Sequence, residues 1–163
     1  MKVIEIFCGT KSFSNICLER GWEVTTLDNA KKFDPDILID IMDWDYKSHP
    51  VPDVFWAGTP CTTFSIASFK RKPEIGNVLA LKTIEILEHF KKLNPNLIWA
   101  IENPWSSLLR KQDFMQGIDY KVCDFCQNSS LHLKGAVLLP ARLVLLLCVL
   151  MCGEREARRL EQR

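Results

Sequence analysis

The stretch IEIFCGTKSFS, residues 4–14, passes from β-branched residues through a single glycine into a run with helical spacing. It reads as a strand, a turn at Gly9 and a helix reaching to about Arg20. The unit then recurs. EVTTLD (23–28), DILID (36–40), DVFWAG (53–58) and LIWAIEN (97–103) are further strand-like runs, several closing on an acid. Between the last two, NVLALKTIEILEHFKKL (77–93) spaces Val78, Leu81, Ile84 or Ile86, Leu87 and Phe90 as a helix does, with lysines near its end where the dipole favours them. Strands alternating with helices imply an α/β fold, a parallel sheet with helices on both faces. In such sheets ligands sit beyond the carboxyl ends of the strands.

Composition sets the bounds. A chain of 163 residues, 47% hydrophobic, suits one domain, and a formal charge of +1 gives no overall basic field. Any nucleic-acid affinity has to come from local patches. Seven cysteines, the absence of a signal-type cleavage site and of an apolar run of membrane length lead to the expectation of a reduced, intracellular protein with no membrane partner. The composition changes at about residue 127. Residues 1–126 hold twelve Lys, three Arg and thirteen Ile, whereas 127–163 hold one Lys, five Arg, no Ile, ten Leu and no Phe, Tyr or Trp. The division expected is a core over 1–126 and an atypical tail over 127–163. A foreign or frame-shifted extension is one reading of the tail. The other is an ordinary terminal helix with LVLLLCVLMC (143–152) as its buried part.

Chemistry collects at the strand ends. A glycine turn opening a helix presents backbone amides to an anionic or carboxylate-bearing ligand, although Gly9 alone is also a plain β-to-α turn. Asp28, nineteen residues on, stands where an acid commonly accepts hydrogen bonds from a ribose, and Asp40 closes the third strand. Either acid can equally be a cap or turn former. Cys61 follows Pro60 just past the fourth strand, a place exposed enough for a nucleophile; a free cysteine is otherwise usually a small buried hydrophobe. A nucleophile needs an acid or base nearby, and Glu102 at the end of the next strand is the candidate. Lys70, Arg71 and Lys72, within FKRKP (69–73), form the best phosphate-contacting patch, or else a solvated loop. Trp105 is read as packing before base stacking. The pairs Cys123 and Cys126, Cys148 and Cys152 are weighed as a zinc site and set aside, so no metal is expected.

Taken together, DVFWAGTPCTTFS (53–65) resembles the Pro-Cys loop of the DNA cytosine-5 methyltransferases, and WAIENP (99–104) resembles that family's Glu-Asn motif. IEIFCGT (4–10), Asp28 and IDI (39–41) fall in the order of its cofactor-binding motifs, and the likeness, closest to short bacteriophage-type members, covers about residues 2–125. The resemblance implies a Rossmann-like fold and S-adenosylmethionine as cofactor, with Phe7, Gly9, Asp28, Asp40, Ile41 and Pro60 around it. It implies Cys61 as nucleophile toward a cytosine flipped out of DNA, Glu102 as the group on ring nitrogen 3, and Asn103 as the brace of the Cys61 loop. The place of action implied is intracellular, the cytoplasm of a bacterial host if the chain is phage-derived.

The departures are specific. Lys11 and Ser12 replace further glycines, Thr62 stands where a Gln commonly follows the nucleophile, and Pro104 stands in place of a Val. The later family motifs and the target-recognition region have no counterpart, so a partner subunit supplying that region is one expectation and none the other. The leading function is a DNA cytosine-5 methyltransferase, impaired by these losses. The alternative is a dead remnant that binds cofactor or DNA. Methylation of an exocyclic amine is disfavoured, because TPCTTF lacks the Asp or Asn and paired prolines of that chemistry.

Overall fold

Val3, Ile4 and Ile6 make β1 (Lys2–Ile6) a strand that buries both faces, and it lies inside a seven-stranded sheet in the order β3-β2-β1-β4-β5-β7-β6. The computed structural model describes residues 1–65 and 72–118, together with the backbone of the strands Tyr120–Asp124 and Lys134–Leu138. β1 pairs in parallel with β2 (Glu23–Asp28) on one side and with β4 (Val54–Gly58) on the other. β4 pairs in parallel with β5 (Ile98–Pro104), from Val54 opposite Ile98 to Gly58 opposite Glu102. β7 (Lys134–Leu138) runs antiparallel between β5 and β6 (Tyr120–Asp124).

The two faces are covered by different helices, as the alternation of elements requires. α1 (Ser12–Glu19) lays Phe13 and Cys17 on Val3, Val54, Trp56 and Ala100, with the Phe13 and Trp56 rings stacked 4.3 Å apart. It ends where the sequence predicts. Gly21, at φ 72, lets its own N–H reach the carbonyl of Leu18 (2.9 Å) and that of Trp22 reach Cys17 (3.1 Å), the Schellman closure. α2 (Pro73–Leu93) covers the other face, where Ile4, Ile6, Phe55, Ala57 and Ile101 meet Ala80, Ile86, Leu87 and Phe90.

Four expectations are corrected. α2 begins at Pro73 rather than 77, because a proline in the first turn gives up an N–H that has no helical partner there. Its buried stripe is Gly76, Ala80, Thr83, Ile86, Leu87 and Phe90: the last three are buried as the spacing predicts, whereas Val78 and Leu81 are 50% and 47% exposed. Both stripes have helical period; small residues let the helix lie close to the sheet, which the choice of large apolar residues could not show. The third strand shrinks to β3 (Ile37–Leu38), since Asp36 spends its carboxylate on the N–H (2.8 Å) and hydroxyl (2.7 Å) of Thr26. Finally, β6 and β7 were not expected. Lys134–Leu138 are the described residues of the 127–163 tail, and they lie in the sheet; the 143–152 run is outside the described residues.

Phe90 is fully buried, and its ring packs near those of Phe55 and Trp44. Phe90→Ala is expected to cost about 3–5 kcal/mol, measured as a fall in the urea midpoint at unchanged slope.

Candidate active site

The chain turns to β2 on one side of β1 and to β4 on the other, so the connections leaving β1 and β4 diverge and open a crevice beyond their ends. The β1 exit is tightly wound: Phe7, Gly9 and Lys11 all have positive φ (55, 48 and 59). Only the glycine adopts this without strain, and strained non-glycine residues collect at functional sites. The turn is held to β2 by Asp28. Its two carboxylate oxygens accept the N–H of Gly9 (3.1 Å) and of Ala30 (2.9 Å), which leaves lone pairs for a ligand hydroxyl. Asp40 accepts the N–H of Met42 (3.0 Å) and the Asn29 amide (3.3 Å).

These elements enclose a cavity of about 620 Å³. Phe7, Gly9, Asp28, Asp40, Ile41 and Pro60, the six positions matched to cofactor motifs, all line it, and so do Cys61 and Glu102. Ile39, within the IDI motif, also lines it, and Phe33 and Leu79 supply apolar wall that the motifs did not identify. A second hollow of about 380 Å³ on the α1 side shares Phe7, Gly9, Gly58 and Glu102 and is lined also by Glu5 and Trp56. Glu102 thus borders both spaces.

The loop after β4 is fixed from β5. Asn103 is buried, and its side-chain amide donates to the carbonyl (2.7 Å) and hydroxyl (2.9 Å) oxygens of Thr59. The Thr59 hydroxyl in turn donates to the Glu102 carbonyl (3.3 Å). Cys61 follows two residues later, a half-buried free thiol at the cavity wall. Thr59 had no signal beyond standing before Pro60.

Burial pushes the Glu102 carboxyl up to about 7, because an apolar surround disfavours its charged form. Glu5 is raised to about 7 for the same reason, even though the Ser14 hydroxyl and N–H (2.9 Å) donate to it. Sequence reading passed over Glu5, whose signal was an acid inside an otherwise apolar strand. Of the basic patch, Lys72 is the exposed residue capping α2 and does not line the cavity, while Lys70 and Arg71 lie outside the described residues. Among the described residues no three metal-binding side chains converge, and no helix is long and apolar enough to cross a membrane.

The 3-2-1-4-5 parallel order, with an antiparallel seventh strand between the fifth and sixth, is a Rossmann-like sheet with helices on both faces. Among known proteins, the chain is 39% identical over 144 residues to the probable DNA (cytosine-5)-methyltransferase of Frog virus 3 (isolate Goorha), a match covering 79% of this chain and 64% of that protein. The motif resemblance is borne out by this relative, of which the chain spans just under two thirds. No family model matches the chain. Among solved structures, the delta-N METTL16 MTase domain is 14% identical, with 83% of this chain and 71% of that domain covered at a TM-score of 0.44.

The raised Glu102 carboxyl has a stability consequence. Below 4.5 the folded and unfolded chains both hold it neutral; between 4.5 and about 7 the unfolded chain ionises first, so folding weakens as pH rises, and above 7 the penalty is constant. Glu102→Gln is therefore expected to match the parent near pH 4 and to exceed it at pH 8 by on the order of 2–3 kcal/mol, read from denaturant curves at both pH values.

Proposed function

We propose that this chain is the catalytic part of a DNA cytosine-5 methyltransferase that uses S-adenosylmethionine. The observation that carries the reading is that Cys61 and Glu102 open onto the same cavity as the six residues matched to the cofactor motifs. That cavity suits the cofactor chemically. Apolar wall from Phe33, Ile39 and Ile41 flanks two acids, Asp28 and Asp40, that can accept from ribose hydroxyls and an adenine amine. When bound, the cofactor supplies an electrophilic methyl group.

The residues of the chain do the rest. A flipped cytosine enters beside Cys61, whose thiolate forms a bond to ring carbon 6. The electron pair of the 5,6 double bond is pushed toward carbon 5, and Glu102, neutral while its proton is retained near pH 7, donates that proton to ring nitrogen 3. Carbon 5 takes the methyl group, its proton leaves to a base, the carbon–sulfur bond breaks to release the thiolate, and ring nitrogen 3 returns its proton to Glu102, which restores the neutral ring. Asn103 holds Thr59, and with it the start of the Cys61 loop, against β5 throughout. Lys72, with Lys70 and Arg71, is assigned to DNA phosphate. The free thiols of Cys8, Cys17 and Cys61 accord with a reducing, intracellular setting.

A second reading, a remnant that binds cofactor or DNA without turnover, draws on Lys11. This residue takes a left-handed conformation at φ 59, where the resemblance expects glycine. One experiment separates the two: the full chain with methyl-labelled cofactor and mixed-sequence DNA. Labelled 5-methylcytosine, lost by at least about a thousandfold in Cys61→Ser, is expected. The parent's kcat/KM should fall above pH about 7 as Glu102 loses its proton. Cofactor binding with no transfer would favour the remnant, and label on an exocyclic nitrogen would overturn the proposal.

A further inference from the structure

We propose that Gly76, in the first turn of α2, is a positioning residue for the loop that carries Cys61. The proposal rests on the methyltransferase reading and deepens it. A Cβ at Gly76 would stand 2.3 Å from the Thr63 hydroxyl oxygen and 2.6 and 2.7 Å from Cζ and Cε2 of the Phe64 ring. Side-chain carbons do not approach heavy atoms to within 3.0 Å, so the contact exists only because the residue is glycine. Glycine disfavours a helix relative to alanine, and its place as the buried residue of the first helical turn calls for a reason of this kind.

What Gly76 admits is the far anchor of the nucleophile loop. The Phe64 ring is 1% exposed and belongs to the core on the α2 face. Its carbonyl accepts the N–H of Leu108 (3.0 Å), and its own N–H donates to the Cys61 carbonyl (3.0 Å). The Thr63 hydroxyl donates to the Pro60 carbonyl at 3.5 Å. Residues 60–64 therefore form a turn closed on itself, with Cys61 inside it. Asn103 holds the turn at its entry through Thr59, and α2 holds it at its exit through Phe64. The ring is stiff, so a methyl group at Gly76 displaces Phe64 and the turn with it. Displacement of the sulfur by about 1 Å is enough to slow its addition to a ring carbon by on the order of a hundredfold.

The test compares the parent, Gly76→Ala, and Gly76→Ala combined with Phe64→Leu and Thr63→Ser. The last two substitutions remove the ring edge and free the hydroxyl to rotate. Three quantities are read: the iodoacetamide labelling rate of the Cys61 peptide by mass spectrometry, kcat and KM for methyl transfer, and the thermal midpoint. In Gly76→Ala, the labelling rate is expected to change by about tenfold and kcat to fall by about tenfold to a hundredfold, with KM for the cofactor within about twofold. The compensated variant should return both toward the parent. Parent-like labelling and kcat in Gly76→Ala overturn the proposal. So does a folded compensated variant that recovers neither. If Gly76→Ala fails to fold, the compensated variant decides by the same two readouts. If the parent transfers no methyl group, the methyltransferase reading fails, and labelling alone still decides whether Gly76 sets the position of Cys61.

Discussion

The parallel pairing of β4 with β5 is the constraint on which the site depends. Because Gly58 lies opposite Glu102, the loop leaving β4 and the acid near the end of β5 emerge side by side at the carboxyl end of the parallel strands. The next residue, Asn103, converts this adjacency into a fixed geometry by giving both amide hydrogens' worth of donation to Thr59. Each such bond adds only about 1 kcal/mol net, but a buried Thr59 carbonyl left unpaired would cost about 1–3 kcal/mol. The loop thus has little freedom to take another course.

Burial carries a cost in the same part of the sheet. Glu5 and Glu102 both lie where charge is poorly solvated, and both carboxyls are pushed up to about 7. Glu5 is compensated by Ser14 at the start of α1, which ties the helix to β1. For Glu102, burial raises the carboxyl with no offsetting hydrogen bond or charge among the described residues. That difference fits a structural role for the first carboxyl and a chemical role for the second, since a carboxyl that keeps its proton near neutrality can donate it.

Much of this was legible in the sequence because it rests on local signals. Strand runs over 2–7, 23–28, 53–58 and 97–103, alternating with helical spacing, imply a parallel sheet, though not the order of its strands. Pro60-Cys61 and Glu102-Asn103, at successive strand ends, give the site residues, all of which except Asn103 line the cavity. What escaped depends on distance. In α2 the period identified Ile86, Leu87 and Phe90, but not the first half of the stripe, where the small residues Gly76, Ala80 and Thr83 are buried and Val78 and Leu81 are exposed. Thr59 and Gly76 matter only through what approaches them in space. β6 and β7 have short, unremarkable sequences, and their place in the sheet comes from antiparallel pairing with β5 and with each other.

The central claim is that Cys61 attacks a pyrimidine held within reach of Glu102. Its most direct measurement is the mass of the protein, digested to peptides, after incubation with cofactor and DNA carrying 5-fluorocytosine, which blocks departure of the group at carbon 5. The account predicts a denaturation-resistant adduct on the peptide containing Cys61. Methyl transfer to ordinary DNA with no such adduct, or an adduct on a different cysteine, would contradict it.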